Sequence, residues 1–220
     1  RERATSNICT AQALLATMAG MYAVYHGPEG LKEIAGSIHR CAGYLAQNLE
    51  KSGFRQLNKN FFDTLKIELP DNICSNDIEK IALGKEINLR YINDNMIGIS
   101  VDETTSLDDI SDILDIFSEA VGKLQVNIES IPGKNYFDRK FERKTDFLTQ
   151  DVFNRYQSET EMMRYIKKLE RKDFSLTHSM ISLGSCTMKL NAATEMFPAS
   201  WPEFANLHPF IPLNQAQGYQ

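Results

Sequence analysis

The spacing of apolar residues changes along this chain, and that change limits the folds it can adopt. Up to about residue 51 apolar side chains recur every three or four positions, which predicts helices. In "FFDTLKIEL", residues 61–69, they alternate with polar side chains, as in a half-buried strand. "INLRYI" and "MIGISV" also alternate and are joined by "NDN", which predicts a hairpin. Residues 60–122 therefore predict the order β-α-β-β-α, an α+β fold with a small sheet and helices on one face.

Two helical patterns complete that order. In "SNDIEKIALGKEI" the spacing of Asn76 and Glu79 predicts a capping box. In "TSLDDISDILDIFSEAVGK" Ser106 and Asp109 have the same spacing. The predicted apolar face of this second helix consists of Leu107, Ile110, Ile113, Leu114 and Phe117.

A helical hairpin is predicted before the sheet. The first helix runs from Ser6 to about His26, and its richness in Ala, Met and Tyr indicates a largely buried helix. Gly27 favours a break, and Pro28 favours the first turn of a second helix that continues to about Lys51. The apolar residues of the first helix are Ile8, Ala11, Leu14, Leu15, Met18 and Tyr22.

The pattern becomes irregular after residue 122. Residues 123–150 include "KNYFDRKFERKTDF", a charged run typical of a solvated linker, although a basic contact strip is the alternative. "DVFNRYQSETEMMRYIKKLERKD", residues 151–173, predicts one amphipathic helix, and the prolines that follow predict an irregular arm. The predicted divisions are thus 1–122, 123–150 and 151–220. The face of this helix contains Val152, Tyr156, Met163, Ile166 and Leu169.

Charge and cysteine usage exclude several classes of protein. The 220 residues carry a net charge of −5, so the chain lacks the overall positive charge of a nucleic-acid binder. The longest apolar runs are too short for a membrane span, which also argues against a membrane protein. The four cysteines are far apart, which disfavours a cysteine metal cluster and favours free thiols in a reducing compartment. The start on Arg and the abrupt stop at Gln220 predict a piece of a longer protein.

The stretch "LGSCTMKLN" is the strongest candidate site. Within seven residues it contains two hydroxyls (Ser185 and Thr187), a thiol (Cys186), a cation (Lys189) and an amide (Asn191). Successive backbone N–H groups in such a bend can hold a carboxylate or a phosphate. A polar loop that satisfies its own backbone fits the same residues, and composition does not separate the two readings.

Other sites are less well supported. A serine acylase needs Ser three positions before Lys, but position 186 is Cys. A thiol enzyme pairing Cys186 with His178 or His208 stays open, without a third residue to orient the pair. Thr5, Ser6 and Asn7 precede the first helix, where they suit an N-cap or, alternatively, a phosphate site at the helix N-terminus.

Several stretches resemble one family. "RERATSNICTAQALLA", "YHGPEGLKEIA", "GISVDET", "FNRYQSETEMMRYIKKLE", "HSMISLGSCTMKLN" and "WPEFANLHPFIPLNQAQGYQ" are similar to glycine decarboxylase, the P-protein of the glycine cleavage system. The resemblance implies pyridoxal 5'-phosphate as cofactor and two homologous halves of fold type I. Residues 1–122 would end the first half with its small domain, and residues from 123 would form the linker and the start of the second half.

The resemblance also implies a reaction and partners. Glycine would lose CO₂ and its aminomethyl group would pass to the lipoyl arm of the H-protein, with the Schiff-base lysine beyond Gln220 and this chain inactive alone. Ser185, Cys186, Thr187, Lys189 and Asn191 would line the glycine and cofactor pocket. Thr5, Ser6 and Asn7 would contact the cofactor phosphate or the other half of the P-protein. The parent would be a homodimer or heterotetramer, cytoplasmic in a bacterium or in the mitochondrial matrix of a eukaryote.

One alternative function belongs to a different class. The chain would then be a non-catalytic docking module for a lipoyl carrier protein, with its basic strip on an acidic partner surface. An independent thiol enzyme that uses Cys186 is the remaining hypothesis.

Overall fold

The computed structural model describes residues 12–123, 128–134, 136–172, 180 and 193–219. They divide into two compact units, one ending at Met162 and one beginning at Met163, and each is described by itself. Within these ranges no helix is both long enough and apolar enough to cross a membrane.

The first unit is an α+β domain followed by an extended segment. The predicted β-α-β-β-α order of residues 60–122 is confirmed, and a two-residue strand precedes it. Its elements are α1 (Gln12–Ser52), β1 (Arg55–Gln56), β2 (Thr64–Glu68), α2 (Ser75–Gly84), β3 (Arg90–Asn93), β4 (Met96–Ser100) and α3 (Leu107–Ala120).

The four strands form one antiparallel sheet in the order β1-β2-β4-β3. Its two central strands place Leu65 opposite Ile99 and Ile67 opposite Ile97. All four side chains are buried, and strand alternation puts them on one face of the sheet. The helices supply the rest of the same core, so they cover that face as predicted. The helical core residues include Ala42, Leu45, Leu49, Ile78, Ala82, Ile110, Ile113, Leu114 and Phe117.

The two helices predicted before the sheet are both present, as two helical segments of α1 that meet at a kink. The predicted break at Gly27 is confirmed, because this residue has φ 64° and ψ −177° inside the helix. Such a conformation is nearly restricted to glycine, and Pro28 has no N–H group to bond to the preceding turn. The two segments therefore join directly through a kink, without a loop.

The predicted burial of the first segment of α1 is wrong. Leu14 and Leu15 are each 67% exposed and Met18 is 57% exposed, while Tyr22 and Tyr25 are also classed as exposed. At 100° per residue these five positions fall within about 100° of arc, so they form one apolar stripe. Periodicity predicted the apolar face correctly, but no described residue buries it.

The two predicted helix caps have different outcomes. At α3 the capping box is confirmed: the N–H of Asp109 donates to Ser106 Oγ (3.1 Å), and the N–H of Ser106 donates to Asp109 Oδ2 (2.7 Å). At α2 the predicted pair was wrong by two positions, since the helix begins at Ser75 with Cys74 as its N-cap. The N–H of Cys74 donates to the Asp77 carboxylate at 3.1 Å. Cys74 and Asp77 therefore form the cap that was predicted for Asn76 and Glu79.

The single helix predicted for residues 151–173 is also wrong. The structure has a 3-10 turn at Asp151–Asn154 and then a shorter helix, α4 (Glu159–Glu170). Ser158 starts this helix, because its Oγ accepts the N–H of Glu161 (3.4 Å) and its carbonyl accepts the N–H of Met162 (2.9 Å). Val152 and Tyr156 therefore lie outside α4, and Met163 and Ile166 of the predicted apolar face are classed as exposed.

The second unit contains the end of α4 and short helices separated by prolines. Pro198 lies within α5 and Pro202 occupies the first turn of α6, which limits both lengths as the sequence predicted. The rings of Trp201 and Phe204 lie 6.3 Å apart, and both are largely exposed. Its elements after α4 are α5 (Ala193–Ser200), α6 (Pro202–Ala205) and 3-10 turns at Leu213–Gln215 and Gln217–Tyr219.

Candidate functional site

Apart from His208, whose Nδ1 accepts the N–H of Phe210 at 3.0 Å, the site residues predicted from the sequence lie outside the described part of the chain. This holds for the small polar stretch and for the residues ahead of the first helix, so their proposed contacts stay predictions. The residues concerned are Thr5, Ser6, Asn7, Ser185, Cys186, Thr187, Lys189 and Asn191.

The described residues contain a feature that was not predicted, a segment that packs along α1. We call residues 136–157 the strap. At its start the ring of Tyr136 lies directly over Gly43, where a Cβ would overlap the ring at 2.6 Å from Cε2. The Tyr136 hydroxyl lies 3.5 Å from Oε1 of Gln47, one helical turn further along. The absence of a side chain at Gly43 is what allows this contact.

The next strap residue stacks on a buried histidine. The ring of Phe137 lies 3.6 Å from that of His39, centroid to centroid, with 10° between the planes. His39 Nδ1 is 2.9 Å from the carbonyl of Phe62 and so acts as donor. His39 Nε2 is buried without a hydrogen-bond partner among the described residues. A ring pair of this kind contributes about 0.5–1.5 kcal/mol, so the stack helps to hold the start of the strap on α1.

The far end of the strap packs on α1 at its kink. The ring of Phe147 is close to two cations, with Lys32 Nζ 5.7 Å and Arg143 Cζ 5.2 Å from its centroid. A Cβ at Gly27 would lie 2.6 Å from the carbonyl oxygen of Phe153 and would overlap the amide of Gln157. The strap therefore runs antiparallel to α1, from Gln47 back to Gly27.

Two open cavities border the start of the strap. One has a volume of about 320 Å³ and the other about 380 Å³. Aromatic and amide side chains dominate their walls, with Lys59 shared by both. The first is lined by Lys59, Asn60, Phe61, Phe62, Tyr136, Phe137, Asp138 and Phe141. The second is lined by Gly43, Ala46, Gln47, Glu50, Gln56, Asn58, Lys59, Phe61, Lys134 and Tyr136.

These cavities do not fit pyridoxal phosphate. The cofactor needs a lysine for the Schiff base and hydroxyl or helix N-terminal groups for its phosphate. Lys59 and Lys134 supply amines, but neither cavity is lined by Ser, Thr or Arg. Lys85 lies elsewhere, and its hydrogen bond to Asp112 (2.7 Å) raises its pKa, which keeps it a charged partner in an ion pair. Neither of the two cavities therefore provides a site for this cofactor.

Two further ionisable pairs act in local structure. The side chain of Cys74 donates to Asp77 Oδ2 at 3.0 Å, and this bond lowers the pKa of the Asp77 carboxyl. Lys140, in the predicted basic strip, is 2.9 Å from Asp138. Among the described residues no group of three His, Cys, Asp or Glu side chains is arranged to hold a metal ion.

Comparisons with known proteins identify the family. The model of the family described as "Glycine cleavage system P-protein" matches residues 1–117. The chain belongs to the glycine cleavage system P-protein family. A protein named glycine dehydrogenase (decarboxylating) from Bacteroides thetaiotaomicron is 56% identical over 220 residues, and relatives of the same name from Shewanella frigidimarina and Nostoc punctiforme are 53% and 51% identical. Each match covers the whole chain but only 23% of the relative.

Within this P-protein chain, sequence reasoning missed the strap. Residues 134–147 were predicted to form a solvated linker, and residues 137–146 are indeed classed as exposed, but the contacts of Tyr136, Phe137 and Phe147 with α1 were not predicted. The divisions at 122 and 150 remain predictions. Two signals were present: the aromatic pair Tyr136–Phe137 within the charged run, and Gly43 inside a strong helical pattern. A glycine in the middle of a helix lowers stability, so it often marks a close approach of another segment.

Proposed function

We propose that this chain is one part of a pyridoxal-phosphate-dependent glycine decarboxylase that passes the aminomethyl group of glycine to the lipoyl arm of the H-protein. Membership of the P-protein family supports this, together with 51–56% identity over the whole chain to proteins named glycine dehydrogenase (decarboxylating). Because the chain spans about a quarter of the length of those relatives, the activity belongs to the larger protein.

The cofactor would be held by residues outside the described part of the chain. Pyridoxal phosphate supplies the electron sink for decarboxylation. We propose that its lysine lies beyond Gln220 and that the stretch with Ser185, Cys186 and Thr187 lines the glycine pocket, where small side chains suit a two-carbon substrate. Thr5, Ser6 and Asn7 would contact the cofactor phosphate or the other half of the protein.

The apolar stripe on the first segment of α1 supports a role inside a larger assembly. Five large apolar side chains on one helix face are exposed in this chain, and such a patch usually marks an interface. We propose that the rest of the P-protein covers it. The partners of the whole enzyme would be glycine, the lipoylated H-protein and a second half or subunit.

A chimera tests this function. The matching 220 residues of the Bacteroides thetaiotaomicron relative are replaced by this chain, and release of CO₂ from carboxyl-labelled glycine is measured with pyridoxal phosphate and lipoylated H-protein. We expect the rate to stay within about tenfold of the unmodified relative. A folded chimera that binds the cofactor and releases no CO₂ would refute the proposal.

Two controls separate the alternative functions. The 220-residue chain alone should release no CO₂, and a stoichiometric pyridoxal adduct on Lys189 that borohydride reduces would contradict the proposed position of the lysine. Cys186→Ser in the chimera should retain most of the activity, because the proposed role of Cys186 is to line the pocket. Complete loss in that variant, with cofactor binding intact, would favour a thiol enzyme.

A further inference from the structure

The kink at Gly27 determines where the apolar stripe points. The stripe lies on the first segment of α1, before the kink, while the segment after it is fixed in the core through Ala42, Leu45 and Leu49. A change in the kink angle would therefore swing the stripe relative to the sheet. Anything that holds the kink also determines the direction in which the stripe meets its partner.

Local chemistry alone does not hold this kink firmly. Gly27 has no side chain to limit its backbone angles, and Pro28 has no N–H group to bond across the break. The strap provides the missing restraint, because the carbonyl of Phe153 and the side chain of Gln157 lie against Gly27. Gln157 Nε2 also donates to the Phe153 carbonyl at 3.4 Å, which joins the two groups.

The other end of the strap is attached to the rigid segment of α1. Tyr136 occupies the space over Gly43, and Phe137 stacks on His39, one helical turn before Gly43. The ring of Phe147 lies between these ends and contacts Lys32. The strap thus spans the rigid segment of α1 and ends on the kink.

We propose that the strap clasps α1 and holds its kink at one angle, with Tyr136 and Phe137 as positioning residues for the apolar stripe. The inference rests on the proposed function for the meaning of the stripe, since that function gives it a partner. It concerns the strap and α1 only, and it needs neither cofactor nor substrate.

Residual dipolar couplings of the backbone amides in the deuterated full chain test the clasp. In the natural chain the couplings before and after Gly27 should fit one alignment tensor. In Tyr136→Ala the first segment should lose that common tensor, with amide order parameters near the kink falling from about 0.85 to below about 0.6. Gly43→Ala should act in the same way, because its Cβ displaces the Tyr136 ring.

Two matched variants exclude general effects. Gly20→Ala is another glycine-to-alanine change inside α1, but a Cβ there meets nothing within 4 Å, so the kink should be unchanged. Tyr136→Phe retains the ring and removes only the hydroxyl near Gln47, and it should behave like the natural chain. If Gly43→Ala does not fold, Tyr136→Ala still decides, because it removes atoms and introduces no overlap.

The clasp is refuted if Tyr136→Ala shifts amide signals only around His39–Gln47 while both segments of α1 still share one tensor. A purely local packing role predicts that result. The outcome is independent of the chimera: an inactive chimera with a loosened kink would reject the proposed function and leave the clasp standing. An active chimera, together with a kink that Tyr136→Ala leaves unchanged, would support the proposed function and refute the clasp.

Discussion

The two segments of α1 have similar apolar periodicity but different environments. After Gly27, the side chains of Ala42, Leu45 and Leu49 have no exposed surface and pack on the sheet and α3. Before Gly27, Leu14 and Leu15 are two-thirds exposed. The comparison shows that periodicity identifies which face of a helix is apolar, whereas burial depends on what packs against that face.

The glycines of α1 show the same contrast. Gly20, in the first segment, has open space where a Cβ would be, while Gly43, in the second, is covered by the ring of Tyr136. Gly27, at the kink, is covered by Phe153 and Gln157. Strap contacts therefore begin at the kink and continue along the second segment.

Leucine truncations give the largest expected difference between the segments. Leu45→Ala should lower the free energy of unfolding by about 2–5 kcal/mol, because it opens a cavity in a fully packed core. Leu14→Ala should change it by less than about 0.5 kcal/mol, because the side chain is already in water. Urea unfolding of the 220-residue chain followed by circular dichroism measures both. Equal losses would mean that the first segment is buried in solution, which would contradict the comparison.

The features of the fold that were predicted correctly depend on local sequence. The alternation of Leu65 and Ile67 and the Ser106 cap were predicted correctly because each depends on residues close in sequence. The predicted face of α3 is buried except at Leu107, which is 43% exposed. The break at Gly27 was predicted for the same reason. Local chemistry also explains the α2 error, since the Cys74 backbone N–H uses the Asp77 carboxylate and Cys is an unusual cap.

The remaining features depend on contacts between distant residues. Nothing near Tyr136 in the sequence specifies Gly43 as its partner, and the charged residues 138–144 that follow it are exposed, as a charged run usually is. The prediction that the stripe is buried was wrong for the same reason. Burial requires a packing partner, and the spacing of apolar residues does not identify one. The candidate pocket around Ser185–Asn191 was predicted from composition and family resemblance, and its residues remain outside the described ranges.

Alanine at the kink should have the next largest effect. Gly27→Ala places a side chain in a backbone region nearly restricted to glycine, at a cost of about 1–3 kcal/mol, and adds overlap with Phe153 and Gln157. Gly53→Ala is the control, because Gly53 also has a positive φ, 101°, but has open space around it. That variant should lose only about 1–2 kcal/mol. Identical losses in urea unfolding would show that the strap does not press on Gly27.

The smallest effect is on thiol reactivity, and it compares one position in each segment. Burial raises the pKa of Cys41, which lies on the core side of the second segment, so its thiolate forms at higher pH than usual. A cysteine introduced by Met18→Cys would lie in the exposed stripe. At mildly alkaline pH we expect iodoacetamide to modify position 18 many times faster than Cys41, as measured by peptide mass spectrometry.

The same shift in Cys41 fixes the sign of a pH effect on stability. The folded chain holds the thiol proton more tightly than the unfolded chain, so the neutral thiol contributes its full share of stability below about pH 8.5, the ordinary thiol pKa. That share is lost as the pH rises through the raised value in the folded chain. Cys41→Ala should therefore flatten the alkaline fall in unfolding free energy, whereas Met18→Ala should leave its slope unchanged. A slope insensitive to Cys41→Ala would place this thiol in contact with water and remove it from the buried segment.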